Sequence, residues 1–142
     1  MSMRAIREVT LVLPMEPNVE LRASEAASVM ATSQAMSPDK IDEIRAAVVE
    51  ACVNALEHSH ALDRVIHVSM VVLGNDRPEE MRIAVRDSGV GFSPDRLQPG
   101  RSGPLKRPQK RGWGLEIIRG LMDEVKISSS AQGTEVVMTK RF

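Results

Sequence analysis

The sequence predicts an α+β fold, a two-layer sandwich in which helices cover one face of a mostly antiparallel β-sheet. The first observation is the order of the elements: one strand, two helices, two strands, one helix and two strands. The second is that two strand pairs are joined by short turns, which makes their members antiparallel neighbours in a sheet. The third is the length of 142 residues, which is typical of one core. We therefore expect a single domain over residues 1–142.

The first half of the chain contains one predicted strand and two predicted helices. Residues 4–13 end in β-forming residues and predict a strand. Residues 18–36 have apolar and small side chains at helical spacing and predict a helix. Ser37 provides an N-cap and Pro38 the first position of a second helix, which we expect to reach about His58. Its apolar stripe consists of Ile41, Ile44, Val48, Ala51, Cys52 and Ala55.

The second half of the chain supplies the remaining strands and one helix. Residues 65–73 and 80–87 are rich in β-branched residues and flank a Gly-Asn-Asp-Arg-Pro turn, which indicates a hairpin. Residues 114–123 place leucine and isoleucine at helical spacing and predict a third helix. Two further strands, near 124–130 and 135–140, flank a turn that contains glycine.

Between these elements lies a long segment, residues 93–111, without hydrophobic periodicity. It contains four of the eight prolines, so we expect a loop. A loop of this length in a compact domain is usually functional or mobile. It is either a solvated loop or a lid whose cations contact phosphates or an acidic partner. Its basic residues are Arg96, Arg101, Lys106, Arg107, Lys110 and Arg111.

Composition excludes several classes of protein. Nineteen basic and nineteen acidic residues balance, and aromatic residues make up 2% of the chain. Neither a basic field nor aromatic surfaces for base stacking are present, so we expect no nucleic-acid partner. No apolar run approaches the length of a membrane span and no signal-type block starts the chain, so we expect no membrane partner and a cytoplasmic protein. The single cysteine, Cys52, lies on the apolar stripe and is expected to be a buried hydrophobic residue.

Glu50 and Asn54 form a polar pair on the second predicted helix. They are four residues apart and so project from the same side of the helix, away from the apolar stripe. They are either two solvated residues on an exposed face or the polar lining of a cavity. The neighbouring Val49, Val53 and Leu56 are apolar, which favours a cavity.

Asp87 is the second unusual polar residue. Strand alternation places it on the same face as Met81, Ile83 and Val85, which should be the core face. A carboxylate buried without a partner costs several kcal/mol, so Asp87 requires one. That partner is either the amides of the following turn or a ligand donor such as the exocyclic amine of adenine.

Two pairs of glycines follow. Gly89 and Gly91 come directly after Asp87, where they permit positive φ and close approach of the backbone to a ligand. Gly112 and Gly114 stand directly before the third predicted helix. The N-terminus of a helix has free amides and a positive dipole end, which suits a phosphate.

Together these motifs resemble the GHKL superfamily of ATP-binding proteins, which share the Bergerat fold, and more closely its branch of anti-sigma factor serine/threonine kinases. Residues 50–58 are similar to the N-box of that family, and residues 87–91 to its first glycine box. Residues 112–115 resemble the second glycine box. Gly133 and Thr134 fit the last box. The four motifs occur in the family's order and cover nearly the whole chain.

The resemblance implies a role for each residue. Asn54 would ligate a Mg²⁺ that bridges the phosphates of ATP, and Glu50 would be the general base. Asp87 would bind the adenine amine, and Arg22 lies where the kinase branch has an arginine near the phosphates and the partner. The remaining residues that the motifs assign to nucleotide binding are His58, Gly89, Gly91, Lys110, Arg111, Gly112, Trp113, Gly114, Leu115 and Thr134.

The resemblance also implies a function. The chain would be an anti-sigma factor with protein-serine kinase activity, which phosphorylates a serine of an anti-sigma antagonist protein and regulates transcription by partner switching. Its partners would be that antagonist and a sigma factor or comparable regulator, and two copies could pair as a homodimer. One alternative is an ATP-dependent binding switch without phosphotransfer. The other is the stand-alone ATP domain of a histidine-kinase-like system, which the positions of His58, His60 and His67 inside the motifs and a strand disfavour.

Overall fold

The computed structural model describes residues 2–58, 63–88 and 110–142, and its elements follow the predicted order. The elements are β1 (Arg4–Pro14), α1 (Val19–Ser33), α2 (Pro38–His58), β2 (Val65–Gly74), β3 (Pro78–Asp87), α3 (Lys110–Leu121), β4 (Glu124–Ser130) and β5 (Gly133–Arg141). Apart from the start of α3, the predicted bounds lie within three residues of the observed ones.

The start of α3 corrects the sequence-based prediction. The helix begins at Lys110, so Gly112 and Gly114 lie inside its first turns and not ahead of it. The helix also ends at Leu121, before the predicted end at residue 123. Because glycine has a low helix propensity, two glycines within three residues suggested that the helix starts after Gly112. In the folded protein, packing overrides this low propensity. Of the predicted loop 93–111, the last two residues belong to α3, and residues 93–109 lie outside the described residues.

The described strands form one sheet in the order β1-β2-β3-β5-β4, with every neighbouring pair antiparallel. The hairpins β2–β3 and β4–β5 are those that the turns predicted. The pairing of β3 with β5 joins the two hairpins, and β1 pairs with β2 across the two intervening helices. The α+β fold class predicted from the sequence is confirmed.

The core lies between one face of the sheet and the helices. Alternate residues of β2 and β3 are fully buried, including Val68 and Ile83. The helix α2 lies against β3 and β5 and between the other two helices, α1 and α3. The apolar stripe predicted for α2 is buried except for the partly buried Ile41, and Cys52 is fully buried as expected. None of the helices in the described ranges is long and apolar enough to cross a membrane.

A buried lysine links α2, β5 and the C-terminus of α3. The side chain of Lys140 on β5 is 7% exposed, and its Nζ lies 2.9 Å from Oε1 of Glu43 on α2. The same Nζ donates a hydrogen bond of 2.5 Å to the carbonyl oxygen of Leu121, the last residue of α3. A cation suits this position because the carbonyl groups at the C-terminus of a helix carry partial negative charge. The contact fixes the C-terminus of α3 relative to α2 and β5.

The C-terminus of α1 forms a Schellman motif with an alanine in the left-handed position. Ala35 has φ of 60° and donates its backbone N–H to the carbonyl oxygen of Thr32 at 3.0 Å. Met36 donates to the carbonyl oxygen of Ala31 at 3.1 Å, and both side chains are buried. This motif usually has glycine at the position of Ala35, because a Cβ is strained at positive φ.

We expect Ala35→Gly to stabilise the protein, because the left-handed strain is removed. The free energy of unfolding should rise by about 0.5–1 kcal/mol. This is the strain that is relieved in the folded state, less the cost of ordering glycine, which is more flexible than alanine in the unfolded chain. The measurement is the free energy of unfolding from urea titration followed by circular dichroism. Ala26→Gly, inside α1, is the matched control and should destabilise by roughly 1 kcal/mol. Equal losses in both variants would contradict this interpretation of Ala35.

Candidate functional site

A short polar row ends the core face of the sheet. Asp87, the last residue of β3, is 6% exposed and follows the inward-facing Val85, as strand alternation predicted. Its register partner on β5 is Thr134, which is also 6% exposed. Thr134 in turn pairs with Ser129 on β4, and their hydroxyl oxygens lie 3.2 Å apart. Three polar side chains therefore stand side by side on three neighbouring strands.

Gly133 allows this row to form. It has φ of 139°, a conformation that side chains with a Cβ rarely adopt. A Cβ at this position would overlap the backbone carbonyl oxygen of Asp87. Close approach of β5 to the end of β3 thus requires glycine here, in agreement with the last glycine motif of the sequence.

A second polar group lies between α2 and α3. Asn54 is 8% exposed, and its Nδ2 has no hydrogen-bond partner among the described residues. A Cβ added to Gly114 would lie 2.9 Å from both polar atoms of the Asn54 amide, so the glycine leaves space for this side chain. A buried polar atom without a partner is costly in a folded protein and often marks a functional site. The Asn54 amide is therefore a candidate group for binding a ligand.

Glu50 and Arg22 occupy more open positions. Glu50 is half-buried on α2, one helical turn before Asn54, which agrees with the predicted polar pair. The structure does not bring Arg22 to these residues through any described contact. Its side chain is 57% exposed on α1 and pairs with Glu16 at 3.3 Å. Both side chains are exposed, and an exposed ion pair of this kind contributes little to stability.

The remaining predicted residues fall into three groups. Leu115 is 4% exposed and its side chain belongs to the hydrophobic core, where it packs α3. His58 ends α2, while Lys110, Arg111, Gly112 and Trp113 form the first turn of α3. Gly89 and Gly91 lie outside the described residues.

The polar row lines an open depression of about 250 Å³ at the end of the sheet. Its wall includes Asp87 and Thr134 from the predicted site, and also Ser129 and Gln132, which the sequence did not single out. Ser129 belongs to a run of three serines at residues 128–130 in a predicted strand. The run of small polar residues at the end of a strand is visible in the sequence. The register with Thr134, which the sequence does not show, is what brings Ser129 into the candidate site.

Two further kinds of site can be judged in the described parts of the chain. Burial raises the pKa of the Cys52 thiol to about 12, with a further contribution from the charge of Glu20. Cys52 therefore stays protonated and is not a nucleophile at neutral pH. No group of three or more His, Cys, Asp or Glu side chains is placed to hold a metal ion in these parts.

Comparison with known proteins shows the family of this chain. The family model described as histidine kinase-like ATPase domain matches residues 14–140, a range that includes both polar groups. The chain belongs to this family. The ATP-binding fold class predicted from the motifs is thereby confirmed, and ATP is the nucleotide that the family name implies.

Curated relatives place the chain in the anti-sigma factor serine kinase branch. It is 29% identical over 137 residues to the serine-protein kinase RsbW of Bacillus velezensis, with 93% of this chain and 84% of the relative covered. It is 32% identical to RsbW of Bacillus licheniformis, covering 78% and 71% of the two chains. An anti-sigma F factor of Clostridium acetobutylicum is 30% identical, covering 73% and 72%.

Solved structures share the fold at lower identity. The RsbU and RsbW domains of a Mycobacterium tuberculosis protein match with a TM-score of 0.70 and 22% identity, covering 95% of this chain and 32% of that one. The mycobacterial sensor histidine kinase MprB matches with a TM-score of 0.51 and 14% identity, covering 94% and 97%. These likenesses concern the fold alone.

We expect Gly114→Ala to weaken ATP binding while the fold is kept. The new methyl group would displace the Asn54 amide, and loss of one polar contact to a charged ligand lowers affinity by roughly tenfold or more. Isothermal titration calorimetry with a non-hydrolysable ATP analogue measures this.

Gly120→Ala is the matched control, because it lies on the same helix and a Cβ there meets nothing within 4 Å. This variant should bind ATP as the unmodified protein does and should be more stable, by up to about 1 kcal/mol. Equal ATP affinity in both variants would mean that the contact between Gly114 and Asn54 does not shape the site.

Proposed function

We propose that this chain is an ATP-dependent protein-serine kinase that phosphorylates a serine of an anti-sigma antagonist protein and binds a sigma factor or comparable regulator. The observation that carries the proposal is the buried Asn54 amide, available for a ligand one helical turn from the carboxylate of Glu50. The names of the relatives, serine-protein kinase and anti-sigma F factor, support the class of reaction and of partner.

ATP would be held from both ends of the site. Asp87 offers a carboxylate acceptor to the exocyclic amine of adenine, and Thr134 offers a hydroxyl beside it. Asn54 would ligate Mg²⁺ through its amide oxygen, since Mg²⁺ prefers oxygen ligands and commonly combines a few protein groups with phosphates and water. The amide can present either polar atom by rotation about its last bond. ATP would supply the phosphoryl group, and Mg²⁺ held by Asn54 would offset part of the negative charge of the phosphates.

Glu50 would act on the acceptor. Phosphoryl transfer depends mainly on positioning and on stabilisation of charge, so a protein needs few groups to promote it. A half-buried carboxylate near Asn54 can accept a hydrogen bond from the serine hydroxyl of the antagonist and take up its proton. Glu50 is thus proposed as the general base, and the acceptor is a hydroxyl.

The partners would meet an accessible surface of α1. Arg22 is exposed there, and its pairing with the equally exposed Glu16 is weak enough to be exchanged for a contact with a phosphate or with an acidic partner. The sigma factor and antagonist would compete for the chain, with phosphorylation of the antagonist shifting the balance. This role in transcription places the chain in the cytoplasm, and a homodimer is compatible with it.

We expect Asn54→Ala to remove the dependence of ATP binding on Mg²⁺. The dissociation constant is measured by calorimetry with Mg²⁺ and with a chelator, in the variant and in the unmodified protein. Because Nδ2 has no partner in the described structure, the variant should keep or raise its urea midpoint. Unchanged enhancement by Mg²⁺ in Asn54→Ala would remove this residue from the metal site.

Glu50→Gln should bind Mg·ATP nearly normally and lose phosphoryl transfer. Positioned proton transfer contributes about 10²–10⁴-fold, so transfer of radiolabel from ATP to the antagonist protein should fall by that order. Asp42→Asn is the matched control, since Asp42 is an exposed carboxylate two turns earlier on α2, and it should transfer at the unmodified rate.

Two results would decide against parts of this proposal. If the unmodified protein binds ATP tightly but labels no antagonist, it is an ATP-dependent binding switch and not a kinase. If Glu50→Gln labels the antagonist at the unmodified rate, the kinase activity stands and another group acts as the base.

A further inference from the structure

The polar row at the end of the sheet contains Ser129, which has no role in the ATP site as proposed above. On the core face, the row before it is apolar and runs from Ile127 through Val136 and Val85. The terminal row changes to Ser129 and Thr134 beside Asp87. Because Thr134 is 6% exposed, its hydroxyl must find its hydrogen bonds within the row or from a bound molecule.

We propose that Ser129 is a positioning residue for base recognition, acting through Thr134. Its hydroxyl lies 3.2 Å from that of Thr134, and either oxygen can be the donor. When Ser129 donates to Oγ1 of Thr134, the proton of Thr134 is directed away from Ser129 and toward the ligand. Ser129 thereby makes Thr134 a hydrogen-bond donor. This inference rests on the proposed function, since it assumes that the row binds the base of ATP.

The proposal explains how the row can distinguish bases. A carboxylate is an acceptor, so Asp87 beside a donating Thr134 presents one acceptor and one donor. The edge of adenine has the matching pattern, an amine donor beside a ring nitrogen acceptor. Hypoxanthine has the reverse pattern, with a carbonyl oxygen beside a ring N–H. A site built to pair with one pattern leaves buried groups without partners when it meets the other, which produces strong discrimination.

A structural role is the competing explanation for the same contact. Hydroxyl pairs across neighbouring strands stabilise sheets, and Ser129 and Thr134 are such a pair. A structural role would weaken every nucleotide to a similar extent when Ser129 is changed. A positioning role would weaken ATP selectively, because only the matching base uses the Thr134 proton. The ratio of two affinities therefore separates the explanations.

The test compares ATP with inosine triphosphate, which carries hypoxanthine, by calorimetry at saturating Mg²⁺. In Ser129→Ala we expect the affinity for ATP to fall about fivefold, because the hydrogen bond that Thr134 donates to the base is no longer oriented. The ratio of the affinities for ATP and inosine triphosphate should fall by a similar factor. Ser129→Thr keeps the hydroxyl and should keep the preference. Ser69→Ala removes an exposed serine hydroxyl from β2, outside the polar row and its depression, and should alter neither affinity.

A double-mutant comparison tests whether Ser129 acts through Thr134. In a Thr134→Val background, Ser129→Ala should produce no further change in ATP affinity, because the group that it orients is already absent. Independent, additive losses would overturn the proposal. So would an unchanged preference in Ser129→Ala. If Ser129→Ala does not fold, an unchanged preference for ATP in Thr134→Val would overturn it as well.

Failure of this inference is distinct from failure of the proposed function. If the unmodified protein binds ATP and the Ser129 variants keep its base preference, only the role of Ser129 is wrong. If the unmodified protein binds neither nucleotide, the ATP site itself is wrong, and the role of Ser129 falls with it.

Discussion

Burial of the apolar stripe of α2 against the sheet determines the orientation of the candidate site. Ile44 and Val48 on this helix have no exposed surface, and side chains of this size each contribute about 1.5–3 kcal/mol when fully buried. With one face of α2 fixed in this way, the helical period leaves Glu50 and Asn54 on the flank of the helix. Asn54 then lies against α3, where Gly114 gives it room. A hydrophobic constraint thus places the polar groups of the site.

The helix α3 is held near both of its ends, which connects the fold to the site. At its C-terminus, the buried Lys140 bonds to Leu121 and pairs with Glu43. Near its N-terminus, Gly114 leaves space for the amide of Asn54. The first contact satisfies a helix carbonyl, whereas the second leaves a buried amide nitrogen without a partner among the described residues. The C-terminus of α3 is therefore held by satisfied polar contacts, and its N-terminal part lies beside the amide that we propose as a Mg²⁺ ligand.

The polar end of the sheet shows the same compromise between stability and function. An apolar terminal row would have continued the core, yet Asp87 and Thr134 stand there with little exposure. Burial of polar groups costs free energy unless hydrogen bonds replace those made to water. Gly133 adds a further cost, since glycine loses more backbone entropy on folding than other residues. Proteins accept such local losses at positions that bind ligands.

Local sequence signals correctly predicted the order of the elements, the α+β class, the start of α2 at Pro38 and the inward side of Asp87. Each of these follows from a local period or cap, which a single segment carries in its own residues. The motifs also indicated the family. Local signals failed at α3, where two glycines suggested a boundary that lies inside the helix.

The packing of the elements sets which distant residues meet. Asn54 and Gly114 are separated by sixty positions, and their contact depends on how α2 and α3 pack. Ser129 became part of the site through its register with Thr134, and Lys140 became a buried link between three elements although lysine on a strand is usually solvated. Such contacts cannot be deduced from the sequence pattern alone, because periodicity specifies the face on which a residue lies and not the residue that faces it.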